Sequence, residues 1–125
     1  MKKLSILFIV LLFFINISAQ TYRYSQSIFS AITKTANVVY GNAPFLNSLY
    51  IDESNTTNGN LIMDIYTPTG DTRTDRPAII FAHGGGFSNG NRNVDDMEAF
   101  CDTFARKGYV TITIDYRQGV QVVLS

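Results

Sequence analysis

The chain has 125 residues, enough for one small domain, and carries ten Lys and Arg against ten Asp and Glu. Hydrophobic residues make up 46% of it, which excludes a chain disordered by composition. It shows neither a basic stripe nor a basic amphipathic face, so neither a nucleic acid nor a membrane surface is expected as a partner.

The chain opens with Lys2 and Lys3, then a nearly unbroken apolar run from Leu4 to Ile17, then the small residues Ser18 and Ala19. That three-part pattern predicts a secretory signal peptide over residues 1–19, cleaved after Ala19, and hence a secreted or periplasmic protein. The run is about 14 residues long, short of the roughly 20 that cross a bilayer. Asn16 and Ser18 interrupt it where an anchor would continue, so no stable membrane anchor is expected after cleavage. Without residues 1–19, eight Lys and Arg face ten Asp and Glu, a net charge of −2. Cys101 is the only cysteine, so no disulfide can form within the chain; a small buried hydrophobe is expected there.

Residues 20–48 are polar and aromatic without a sustained period and read as an extended lead-in. An early hairpin is expected next: Ser48 to Asp52, a turn-rich loop over Asn55-Thr56-Thr57-Asn58-Gly59-Asn60, then Leu61 to Thr67. In the second strand Leu61, Met63 and Ile65 share one face, and Ile62, Asp64 and Tyr66 the other. Asn55-Thr56-Thr57 also fits a glycosylation sequon, a weak three-residue pattern. After a charged loop, Ala78-Ile79-Ile80-Phe81-Ala82 is a continuous apolar run of strand length, as a strand buried on both faces should be.

Asn93 to Lys107 predicts a helix. Asn93 is a plausible N-cap, Asp95, Asp96 and Glu98 lie near its start, and Arg106 and Lys107 near its end. Gly108 suits the left-handed position beyond it. Met97, Phe100, Cys101, Phe104 and Ala105 form one apolar stripe at helical spacing. From Tyr109 to Asp115, Val110, Ile112 and Ile114 alternate with Tyr109, Thr111 and Thr113, which predicts a strand. Strand, loop, helix and strand in that order make a βαβ unit with parallel strands.

Chemistry gathers at the carboxyl ends of parallel strands. His83-Gly84-Gly85-Gly86-Phe87 stands at such an end. Three adjacent glycines cost backbone entropy. They also let backbone N–H groups approach a ligand oxygen closely, and two such donors aimed at one point stabilise the charge on an attacked carbonyl oxygen. The bland reading of the same glycines is a tight turn. Two nearby residues invite a stronger assignment. Gly86-Phe87-Ser88-Asn89-Gly90 satisfies G-x-S-x-G letter for letter, but a nucleophile elbow needs its serine between a strand and an immediate helix. Here a glycine-rich loop precedes the match and the helix starts later, so Ser88 is not assigned as nucleophile. Replacing it with Ala in a complete enzyme is expected to leave turnover nearly intact. His83 is the only histidine and would be seized on by a search for a catalytic base, but it is not assigned that role.

The strand, His-Gly-Gly-Gly-Phe, the Gly90-Asn91-Arg92 that follows, and Asp115-Tyr116-Arg117 at the next strand end together resemble the carboxylesterase and hormone-sensitive-lipase branches of the α/β-hydrolase superfamily. The resemblance runs from about Leu61 to Gly119. It implies the N-terminal part of an α/β-hydrolase fold: an early hairpin and a βαβ unit of a mostly parallel sheet, incomplete, with residues 49–119 in that domain and 120–125 a divergent tail. By resemblance, the N–H groups of Gly85 and Gly86 are the oxyanion donors, His83 and Gly84 support the loop, and Phe87 lines the acyl pocket or packs beneath it. By the same resemblance Asp115-Tyr116-Arg117 is mainly structural, holding the strand end and the adjacent loop, and Asp115 is not assigned to catalysis.

The implied function is that of a secreted serine hydrolase that cleaves small-molecule carboxylic esters through an acyl-enzyme, without a cofactor or metal. Its nucleophile, acid and histidine are expected outside these residues, so the chain alone is expected to be inactive, with the strand from Tyr109 left as an exposed edge. A peptidase of the same fold, and a secreted binding domain that lost its triad, are the competing readings.

Overall fold

The period-two pattern from Leu61 to Thr67 is the C-terminal half of a longer strand. The computed structural model describes residues 22–46 and 56–118. Among these, four strands and one helix follow in chain order: β1 (Ile32–Leu46), β2 (Thr56–Pro68), β3 (Ala78–Ala82), α1 (Asp95–Ala105) and β4 (Val110–Ile114). They form one mixed sheet of order β1-β2-β4-β3. β1 runs antiparallel to β2, β2 antiparallel to β4, and β3 parallel to β4. The arrangement is compatible with part of an α/β fold, and its parallel character is confined to the β3–β4 pair.

The hairpin differs from expectation. The first strand expected over Ser48–Asp52 lies outside the described residues. The partner of β2 is β1, within the stretch read as a lead-in, and Thr56–Asn60, read as loop, belongs to β2. β1 escapes a pattern search because its alternation is broken. Its register against β2 shifts between Thr35 and Val38 and again between Val39 and Gly41, and Asn37 takes a φ of 61° in the first irregularity.

The βαβ unit forms as expected over β3, α1 and β4. Gly108 takes the left-handed conformation (φ 102°) just past the helix. The N-terminus differs: Val94 occupies the cap position with no side-chain cap, and the Asn93 amide donates to Asn91 Oδ1 at 2.8 Å. Residues of the lead-in serve the other end. The amides of Tyr24, Ile28 and Phe29 donate to the carbonyls of Lys107 and Arg106, meeting groups that a helix end leaves open.

Tyr66, Cys101 and Ala105 form the buried core, with Ile32 and Phe81 packed against it. The helix stripe is borne out, although Phe100 stacks on Phe81 (centroids 5.8 Å apart) and stays half exposed at the edge of the sheet. Two expectations about the sheet are corrected. β4 is not an edge; it lies between β2 and β3. Among the described residues β3 is the edge instead, and it is not buried on both faces, since Ile80 is 63% exposed. The buried face of β4 is the threonine face. Thr111 and Thr113 lie under α1, and the Thr111 hydroxyl donates to the Cys101 carbonyl at 2.9 Å. That bond compensates the burial of the Thr111 hydroxyl, whereas the Thr113 hydroxyl is buried without a partner among the described residues.

Candidate functional site

Ala82 and Ile114 are partners in the parallel pair. The chain segments that follow them, from His83 and from Asp115, therefore leave the sheet side by side. Residues 115–118 clasp the loop after β3 at three places. The Tyr116 hydroxyl donates to the His83 carbonyl at 2.8 Å, and its ring stacks on the His83 imidazole with centroids 4.4 Å apart. Asp115 Oδ1 accepts from the Arg92 amide at 2.7 Å. Gln118 Nε2 donates to the Gly90 carbonyl at 2.8 Å.

His83 is 4% exposed. Its Nδ1 lies 2.7 Å from the Gly84 carbonyl. A carbonyl only accepts, so Nδ1 carries the proton. Nε2 is buried without a partner among the described residues. The ring is thus enclosed by its own loop, and Gly90 makes the enclosure possible. A Cβ there would fall within 3.0 Å of both the Gly84 oxygen and His83 Nδ1, and φ at Gly90 is 96°.

Gly85, Gly86 and Phe87 all take positive φ, at 128°, 60° and 60°. The Ser88 amide donates to the Gly85 carbonyl at 3.1 Å. A four-residue turn with positive φ at both central positions is of type I′, which suits Gly86 but strains Phe87. The Phe87 ring is 60% exposed and meets Tyr116 edge-on at 5.7 Å. The Gly85 carbonyl also accepts from the Asn89 amide at 3.2 Å and from the Ser88 hydroxyl at 3.1 Å. Both carbonyls, of Gly84 and Gly85, are therefore engaged inside the loop. A trans peptide points its N–H opposite its C=O. The N–H groups of Gly85 and Gly86 therefore point opposite the engaged carbonyls of their own peptides, and neither makes a hydrogen bond among the described residues.

The far limb of the loop is tied down by charge. Arg92 Nε donates to Asp64 Oδ1 at 3.1 Å, Nη1 pairs with Asp115, and Nη2 reaches Asn37 Oδ1. Asp64, 1% exposed, also accepts from the Asn37 amide at 2.8 Å and pairs with Lys34 at 3.2 Å. Lys34 in turn bonds Glu98 on α1. Burial alone would raise the Asp64 pKa. The Asn37 amide, Arg92 and Lys34 outweigh it and hold the carboxyl below the usual range. Burial likewise opposes the charge on Arg92, but Asp64 and Asp115 keep the guanidinium more firmly protonated than usual.

The five residues singled out from the sequence, His83 to Phe87, thus form one loop at the end of β3. Ser88 lies in its turn, away from any strand-to-helix elbow. Sequence reasoning had Arg92 and Tyr116 only as members of the motifs that carry the resemblance, and it passed over Asp64 and Asn37 as parts of the site. The signal for Asp64 was a lone carboxylate on the same strand face as Tyr66. Asn37 offered none, because its role depends on the irregular register of β1. Among the described residues no group of three or more His, Cys, Asp or Glu could hold a metal ion. No helix among them is long and apolar enough to cross a membrane.

The loop and its clasp lie inside residues 63–124, the segment matched by the BD-FAE family model. The chain is similar to BD-FAE, a family of α/β-hydrolase-like esterase domains. The match covers just under half of the chain and supports the α/β-hydrolase superfamily. It takes in β2 from Met63, β3, the loop, α1 and β4, and leaves β1 outside. No curated protein and no solved structure matches the chain. The BD-FAE match suggests an esterase-like hydrolase domain.

Proposed function

We propose that the protein is a secreted serine hydrolase of carboxylic esters and that Gly85 and Gly86 supply its oxyanion hole. The supporting observation is the pair of unbonded glycine amides in a loop where the carbonyls of the same two peptides are engaged. It stands at the carboxyl end of a parallel strand. In this reading the attacked ester carbonyl gains negative charge, and the two N–H groups receive it. His83 and Gly84 brace the loop, and the exposed Phe87 ring lines the acyl side of the site. The nucleophile, acid and base come from residues outside those described. Ser88 has its hydroxyl committed to the Gly85 carbonyl, and His83 has both ring nitrogens enclosed. The leading pattern of Lys2, Lys3, Leu4 to Ile17 and Ala19 supports export.

The test is hydrolysis of 4-nitrophenyl acetate by the complete protein purified from the culture medium or periplasm. Turnover with a burst of nitrophenol is expected, together with covalent labelling by a fluorophosphonate at a serine other than Ser88. Absence of both, in a folded protein, would refute the reading.

A further inference from the structure

One element of the loop has a chemistry the family match does not assign: the hydroxyl of Ser88. We propose that Ser88 is a positioning residue that fixes the Gly85–Gly86 peptide and so aims the Gly86 N–H. This inference rests on the oxyanion role proposed for that N–H.

Gly86 and Phe87 both hold φ at 60°, and for Phe87 this conformation is disfavoured. Such a turn persists only where its surroundings over-determine it. The Gly85 carbonyl is where they do so, since three donors converge on it: the Ser88 amide, the Ser88 hydroxyl and the Asn89 amide. A carbonyl has two lone pairs, so the two amides already suffice to hold the turn closed. The hydroxyl adds a third, side-chain restraint on the direction of the C=O. Because the peptide is planar and trans, restraint of the C=O restrains the N–H of Gly86 in the opposite direction. Gly86 has nothing of its own to do this, as no atom lies within 4 Å of where its Cβ would stand. The same bond explains why the letter-for-letter match to an elbow motif is not a nucleophile: the hydroxyl proton is spent on the loop's own carbonyl.

The test compares the complete wild-type protein with Ser88→Ala and Ser88→Thr. The two amide bonds remain in each variant, so the turn is kept. In place of the nearly intact turnover expected from the sequence, Ser88→Ala is expected to lower kcat on 4-nitrophenyl acetate roughly two- to tenfold, the effect of one hydrogen bond, with KM unchanged. Ser88→Thr, which keeps the hydroxyl, restores it. Fluorophosphonate labelling stays intact in all three. An activity-independent measurement accompanies this, the 15N order parameter of the Gly86 amide. It is expected near the rigid value of about 0.85 in wild type and Ser88→Thr, and clearly lower in Ser88→Ala. An unchanged order parameter in Ser88→Ala would overturn the proposal whatever the kinetics, as would equal kcat in an active enzyme. Loss of labelling in Ser88→Ala would make Ser88 the nucleophile instead. If wild type hydrolyses no ester, the proposed function fails by itself, and the order parameter still decides the role of Ser88.

Discussion

Adding one methyl group to the loop at neighbouring positions should give results of very different size. At Gly86 an added Cβ meets nothing within 4 Å. Its φ of 60° is the left-handed region that an alanine enters at about 1–2 kcal/mol. The N–H is retained and its direction is set by the engaged Gly85 carbonyl. Gly86→Ala should therefore cost about 1 kcal/mol of stability and change kcat no more than severalfold. At Gly85, one residue earlier, the φ of 128° lies where essentially only glycine goes, a strain of about 1–3 kcal/mol. A Cβ there would also fall well under 3.0 Å from the Asn89 carbonyl oxygen and its Oδ1. Backbone must move, by about 1 Å, and a displacement of that size at reacting groups costs on the order of a hundredfold in rate. The assay is kcat and KM on 4-nitrophenyl acetate for the complete protein and both variants, with urea midpoints to measure stability. Gly85→Ala at wild-type kcat, or Gly86→Ala as damaging as Gly85→Ala, would refute the reasoning.

Asp64→Ala removes the carboxylate that Arg92, Lys34 and the Asn37 amide share; breaking a buried pair costs about 3–5 kcal/mol. Arg92 keeps Asp115 and Lys34 keeps Glu98, so the lower end is expected in urea unfolding, and a loss below 1 kcal/mol would sink the assignment. Acid should act on the same group and on Asp71, whose carboxyl Arg23 holds below its usual range. A depressed folded-state pKa gives stability that is complete above the unfolded value of about 3.9 and disappears as pH falls through the folded one. Unfolding free energy should thus hold down to about pH 5 and fall below it, less steeply in Asp64→Asn; identical profiles would contradict this. Tyr116→Phe loses the bond to the His83 carbonyl and should cost about 1 kcal/mol, while Tyr116→Ala loses the ring stack as well and should cost more. Equal unfolding midpoints for the two variants would show that the stack contributes nothing.

The βαβ unit was legible because its signals are local. An apolar run, a stripe at helical spacing and Gly108 each act within a few residues, and the structure places β3, α1 and β4 where they point. β1 was not legible. Its irregular register interrupts alternation, and its partner is chosen by pairing with β2 rather than by its own composition. The facing of β4 was not legible either. Val110, Ile112 and Ile114 alternate as a buried face would, but α1 covers Thr111 and Thr113 instead. Through the register, Ile112 shares its face with Ile80 and Ile65, so the isoleucines line the side opposite α1. Alternation identifies a strand and its two faces. Which face a helix takes depends on where the helix lands, and that is not written in the strand. In the loop, the glycines could be read in advance as sites of access. The engaged carbonyls that set their amide directions could not, since they depend on positive φ at Phe87 and on a hydroxyl two residues beyond Gly86.

The charge network gives the irregularity of β1 a purpose. A regular β1 would offer ladder bonds to β2 and nothing else. The register shift at Thr35 to Val38 turns the Asn37 amide onto Asp64 and its side-chain oxygen toward Arg92. Arg92 lies two residues beyond Gly90, the position that closes around His83. A bulge at one side of the sheet is thereby linked through Asp64 and Arg92 to the limb of the loop at the other, while Tyr116 holds the opposite limb. Loops are usually the mobile parts of a fold. Anchoring both limbs to strand ends lets a loop with three successive positive φ angles keep one shape before any ligand arrives, and electrostatic stabilisation of a developing charge depends on donors already in place.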